Sequence, residues 1–292
     1  MNWDKSLSHL SMDQRRMLEK AINIIVRAVQ PEKIILYGMF GPAGDRRFLQ
    51  RLPSALAAFD LLIITRKEER RTDLRSDYEI QDIIENRCRG VVTVTALVHD
   101  IAYVNMKAKE GQYFFSAVLR EEGVLLYDAG GTPLAKTAAP NLEEVRQVAE
   151  KDFDRWARQA WEFFSGAEHV TGKRGWNTAT FLLHQAAEQC YQAILLAFTG
   201  YKPTTHNLDK LRRYTNRFSM ELALLFPLDN AEEEELFRLL ASGYVSARYK
   251  EEFLITEQEV GLLIERVRRL LDIANRVCYG HFIRLSRRVM GD

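Results

Sequence analysis

Ala57-Ala58-Phe59-Asp60-Leu61-Leu62-Ile63-Ile64 places one acid at the head of an apolar run. The run is the length of a buried strand and is bounded by polar and Pro-containing sequence. Side chains alternate across a pleated strand, so Ala58 and Asp60 share a face. Carboxylates at both positions would stand side by side and could hold magnesium ions that bridge phosphate oxygens. One carboxylate and one methyl group cannot do this in the same way.

Working outward, the first half of the chain alternates helix and strand. Ser11-Met12-Asp13-Gln14 is a capping box that opens a helix toward Gln30, where Pro31 stops it. Lys33-Ile34-Ile35-Leu36-Tyr37 is a short buried strand that ends at Gly38. A Gly-, Pro- and Arg-rich loop follows from Gly41 to Pro53 and leads to the Asp60 strand. A helix is expected from about Thr72 to Cys88, a strand from Val91 to Val98, helix over most of Asn105 to Glu122, and a last strand at Val124 to Tyr127.

After Pro140 the character changes. Asn141-Leu142-Glu143-Glu144 opens a long helix with Val145, Val148, Phe153, Trp156, Ala160, Phe163 and Phe164 on its apolar side. A second helix runs from about Trp176 to Phe198 and ends at Gly200. Helical segments follow over Asn207 to Phe226, Asn230 to Tyr249 and Thr256 to Cys278. The fold class is α+β, a mixed sheet with flanking helices, followed by an all-α antiparallel helical bundle. The expected domains are 1–129, a linker at 130–140, the bundle at 141–279 and a tail at 280–292.

Bulk composition narrows the function classes. The 292 residues suit two domains, and hydrophobic residues at 47% allow each a core. A net charge of +1 gives no global pull toward nucleic acid or anionic membrane. Cys88, Cys190 and Cys278 are odd in number and far apart, which argues against a zinc knuckle or a disulfide framework. The polar N-terminus and the lack of a long apolar run lead to the expectation of a cytoplasmic protein without membrane attachment.

The order of helix, strand, Gly turn, loop and acid-bearing strand over Lys33 to Asp128 resembles the minimal nucleotidyltransferases of the polymerase-β-like superfamily. That resemblance implies Gly-Ser at the turn, Asp-x-Asp on the next strand and a third acid on a later one. Gly38 and Asp60 match. Met39 replaces the serine, Ala58 replaces the first aspartate, and the later strand offers only Thr93 and Thr95. Asp60 is then the one metal-ligand candidate, and magnesium is expected only if the site is active. Asp45, in the long loop, is a further acid that could swing in as a ligand.

Phe181-Leu182-Leu183-His184-Gln185-Ala186-Ala187-Glu188-Gln189-Cys190-Tyr191, then Thr205-His206-Asn207-Leu208, then Ser246-Ala247-Arg248-Tyr249 resembles the HEPN domain over about Asn141 to Cys278. Many HEPN domains are ribonucleases with Arg, four to six residues, then His. After Arg248 those positions hold Phe253, Leu254 and Ile255, none of which is a general acid or base. Arg276 and His281 have the spacing but fall beyond the usual place. His184 reads as a core histidine. Lys202, His206, Arg248 and Lys250 form the expected anion or nucleotide site.

The function expected from both resemblances is nucleotide binding or regulation by a fusion whose catalytic motifs have degenerated, homodimeric through its helices, with nucleic acid left open. The alternatives are an active nucleotidyltransferase that combines Asp60 with a non-standard ligand set, and a toxin–antitoxin-like fusion related to HEPN ribonucleases.

Overall fold

The computed structural model describes residues 7–38, 58–66, 76–137, 139–244 and 254–290. The chain divides into two compact units, Met1–Pro140 and Asn141–Asp292.

In the first unit, α1 (Met12–Val29) starts at the Ser11–Gln14 capping box, with both reciprocal hydrogen bonds present. β1 (Lys33–Tyr37) and β2 (Phe59–Thr65) are buried along their whole length, as their unbroken apolar runs require. α2 (Asp77–Cys88) crosses from β2 to β3 (Val94–Asp100), which lies parallel to β2. α3 (Ile101–Lys109) is capped by Asp100, whose carboxylate accepts from the Ala102 and Tyr103 amides. α4 (Tyr113–Ala117) runs into a π turn over Val118–Glu122, and β4 (Val124–Asp128) follows. The sheet order is β3-β2-β1-β4, with β1 antiparallel to both neighbours, so the sheet is mixed as expected.

The third strand begins later than the sequence suggested. The Val91 and Val92 amides both bond to the Cys88 carbonyl, so this stretch closes the C-terminus of α2 before pairing can start. The expected start of α2 near Thr72 falls on residues outside those described.

The segment expected as a linker at 130–140 is in part tied down. The Gly130 amide donates to Asp128 at 2.8 Å, and the Thr132 amide donates to the Glu32 carboxylate. Asn105 brackets the next turn, giving a bond to the Pro133 carbonyl at 3.0 Å and accepting from Ala135 at 2.7 Å. The Lys33 ammonium, itself buried, meets Asp128 at 2.6 Å and fixes the same corner.

In the second unit, α5 (Leu142–Thr171) and α6 (Trp176–Thr199) form the long hairpin. α6 ends at Gly200 with φ of 60°, the left-handed cap that glycine takes at least cost. α7 (Leu208–Thr215), α8 (Met220–Leu224) and α9 (Ala231–Ser242) are short. α10 (Glu257–Met290) packs along α5 and α6. Phe153, Phe164, Leu183, Tyr191, Val267 and Leu270 are buried at the centre.

Two boundaries differ from expectation. α9 stops at Ser242 rather than near Tyr249. Gly243 passes so close to α6 that a Cβ there would lie 2.9 Å from the Thr180 carbonyl. α10 does not end at Cys278: it runs through Gly280 to Met290, so residues 280–290 are helix and not a tail. Cys278, Phe282 and Leu285 continue its buried stripe and explain why.

Candidate functional site

In the first unit the site is set by strand register. Asp60 pairs with Tyr37 on β1 and with Thr95 on β3, so all three side chains project from one face of the sheet. The Phe59 amide bonds the Thr93 carbonyl at 3.0 Å and holds that register at the strand's start. Asp60 is 3% exposed, and Thr95 is fully buried. The Thr95 hydroxyl has no hydrogen-bond partner among the described residues. Ala58 also lies inside. Gly38 ends β1 with φ of 71°, a conformation that favours glycine.

This set does not fit two magnesium ions. Around Asp60 the strands supply one carboxylate, one hydroxyl and one methyl, where bridging two divalent cations needs several anionic oxygens. Among the described residues no group of three His, Cys, Asp or Glu side chains is placed to hold a metal ion. Met39 and Asp45 lie outside the described residues.

In the second unit the most connected polar group is one that sequence reasoning passed over. Glu188, on the inner side of α6, is 4% exposed. Its Oε1 accepts from His206 Nδ1 at 2.9 Å and from Gln192 Nε2 at 3.3 Å. Its Oε2 accepts from Gln185 Nε2 at 3.4 Å and lies 3.6 Å from His184 Nε2. Burial pushes the Glu188 carboxyl up, but hydrogen bonds from His184 and His206, aided by their charges, outweigh it and hold the carboxyl below its ordinary value.

His184 is buried as expected of a core histidine. Its Nδ1 lies 3.0 Å from the Leu240 carbonyl, which can only accept, so that nitrogen carries a proton. Its Nε2 is buried toward Glu188 and has no hydrogen-bond partner among the described residues. His206 is different: its side chain is 70% exposed and its ring lies parallel to Tyr244, 5.9 Å away. Its Nδ1–H is committed to Glu188, which leaves Nε2 as the remaining polar atom of a largely exposed ring.

Two members of the expected anion group, Lys202 and His206, lie among the described residues. The Lys202 ammonium sits over the Trp156 ring at 4.9 Å, so Lys202 and His206 engage different partners. Arg248 and Lys250 lie outside the described residues, as does Phe253. Arg276 and His281 do not converge. Arg276 pairs with Glu221 at 2.5 Å, while the His281 ring stacks on Phe198 at 4.2 Å. Five residues along a helix turn side chains about 140° apart.

The one signal that could have found Glu188 is its place four residues after His184 on an otherwise apolar helix. A charge there must be paired.

Residues 153–277 match the family model of the HEPN domain, which covers less than half of the chain. No curated protein matches the sequence. The chain is similar to the crystal structure of a nucleotidyltransferase-like protein from Exiguobacterium sibiricum 255-15, at 14% identity and a TM-score of 0.27, over 93% of this chain and 80% of that one. The chain joins an α+β unit to a helical unit, and residues 153–277 of the latter match the HEPN model. Among the described residues no helix is long and apolar enough to cross a membrane.

Proposed function

We propose that the first unit is a nucleotidyltransferase-like domain without two-metal transfer, and that the HEPN-type unit makes the protein a nucleotide-binding, regulatory homodimer. The observation that carries this reading is the register Tyr37–Asp60–Thr95. It puts a hydroxyl where a third acid would stand, beside Ala58 in place of the first. Nucleotidyl transfer by two metals depends on neutralising the triphosphate and activating the attacking oxygen, and one carboxylate does neither well.

The test is incorporation of labelled nucleotide into protein or RNA with magnesium present. Wild type and Asp60→Ala should both stay at background. Incorporation by wild type that Asp60→Ala abolishes would show that Asp60 works with a ligand set beyond the one argued here.

Any bound nucleotide is expected to place its phosphates at the helical unit. Among the described residues the Gly38 turn has one carboxylate, Asp60, in register beside it, whereas guanidinium and ammonium groups balance phosphate charge by charge-assisted hydrogen bonds. Calorimetry should therefore show at least tenfold weaker nucleotide binding for Arg248→Ala and no change for Asp60→Ala. The reverse order would move the site to the first unit.

The homodimer rests on narrower ground than the sequence suggested. Leu263, Val267, Leu270, Leu271 and Ile273 of α10 are buried inside their own unit, as are Phe282 and Leu285. The apolar surface left on α10 is mainly Leu262, Tyr279, Ile283, Val289 and Met290.

A further inference from the structure

Arg266, Arg276, Arg284, Arg287 and Arg288 of α10 fall within a sector of roughly 120° when a helix turns about 100° per residue. The first part of that sector is matched by carboxylates. Arg266 pairs with Glu233 and Arg276 with Glu221, each at 2.5 Å. Beyond Arg276 the matching stops. From Ile273 to Met290 the sequence has no Asp or Glu. Arg284, Arg287 and Arg288 are exposed, and none makes an ion pair among the described residues.

Some cationic charge in a last helical turn is ordinary, because it complements the helix dipole. Three guanidiniums within five residues exceed that need. Their field is felt nearby: burial, and then Arg284 and Arg288, hold His281 down to about 4, so its ring is neutral at ordinary pH. That ring stacks on Phe198, and Phe198 stacks on Phe218 at 4.2 Å. The three rings are half-buried, and His281, whose Nε2 is shut away from solvent, is the one that feels the arginines.

We propose that this arginine face at the C-terminal end of α10 binds the phosphate backbone of a single-stranded nucleic acid, with the exposed parts of the half-buried Phe218–Phe198–His281 stack available to its bases. Arginine rather than lysine suits phosphate, because the planar guanidinium donates two parallel hydrogen bonds to one group. Interleaved cations and rings suit single strands more than duplexes, since unpaired bases can reach aromatic side chains. Neither Asp60 nor the Glu188 cluster contributes a residue to this surface, so the proposal stands or falls apart from the function proposed above.

The test is fluorescence anisotropy of a labelled oligouridylate with the full-length protein. Neutralising about three phosphates predicts that affinity falls about 20-fold between roughly 50 and 200 mM salt. The triple variant Arg284→Glu, Arg287→Glu, Arg288→Glu should lose at least tenfold in affinity while its melting temperature falls by only a few degrees, because the three side chains have no ion-pair partner to lose and the glutamates oppose only the helix dipole. A control with the same change in net charge, Lys151→Glu, Arg155→Glu, Arg158→Glu on α5, should stay within twofold of wild type, because acids interleave with those cations. No oligouridylate binding, or equal losses in both variants, would overturn the proposal. Competition by polyglutamate as effective as by RNA would overturn it in favour of an acidic protein partner.

Discussion

Glu188→Ala should lower the stability of the second unit by about 3–5 kcal/mol, the usual cost of removing one side of a buried charged network. The change leaves His184 and Gln192 facing a cavity inside the bundle, and it frees His206 and the segment that leads into α7. Glu188→Gln should cost less, because the amide oxygen can still accept from His206 while the buried charge is gone. The two variants should also differ in pH dependence. The Glu188 carboxyl is depressed in the folded state from an ordinary value of 4.5. Its contribution is therefore present above that value and is lost as pH falls through the folded one, since the unfolded chain binds the proton first. Urea titrations of the wild type should show this acid limb below about pH 5. The limb should be absent in Glu188→Gln. An unchanged limb in that variant would show that other carboxyls carry it.

The same cluster shows where sequence reading reached its limit. Local rules located much of the frame. Ser11 and Gln14 form the expected box, Thr256 and Glu259 close another, and Gly200 takes the left-handed cap. Each is a relation within three or four residues, and the chain states it directly. Asn141 is half a case: its side chain caps α5 by accepting from the Glu143 and Glu144 amides, but Glu144, the third helical residue, makes no return bond to the Asn141 amide. The run after Phe59 also declared its burial, because only a strand covered on both faces is apolar throughout.

The remainder depended on partners far away in sequence. His206 meets Glu188 across 18 residues, and Thr132 reaches Glu32 across 100. No local pattern encodes such pairs. The Asp60 site was legible as a set of residue types, because alternation alone puts Ala58 on its face. That Thr95 is the residue beside it required the register of β2 against β3. The end of α10 lay beyond local rules for another reason: Gly280 sits inside the helix and does not stop it. A single glycine in a helix costs only about 1 kcal/mol, and the stripe of Cys278, Phe282 and Leu285 outweighs it.

Gly123→Ala should destabilise the first unit by about 2–3 kcal/mol, near the upper end of the cost of overpacking a tight site. Gly123 follows the π turn Val118–Glu122 and leads into β4. Its backbone is extended, at φ −110° and ψ 146°, so the requirement for glycine is one of space and not of dihedral angle. A Cβ would come within 2.7 Å of Ile35 Cγ2 and 3.2 Å of Val118 Cγ1, and closer still to the Val118 carbonyl oxygen. Ile35 is buried on β1 and the carbonyl belongs to the π turn, so neither can swing aside as an exposed side chain would. Relief must come from opening the π turn or from pulling β4 away from β1, where Ile35 pairs with Leu125 and Leu36 with Val124. Hydrogen exchange in the Gly123→Ala variant should therefore quicken first at the β1 and β4 amides. Gly261→Ala on α10 is the counter-case. Nothing lies within 4 Å of a Cβ there, so alanine should stabilise that helix by roughly 0.5–1 kcal/mol through propensity alone. Opposite signs for the two glycines would show that space, and not glycine's flexibility, sets the residue at 123. A neutral Gly123→Ala would mean that the turn relaxes freely and that the close approach is not what fixes β4.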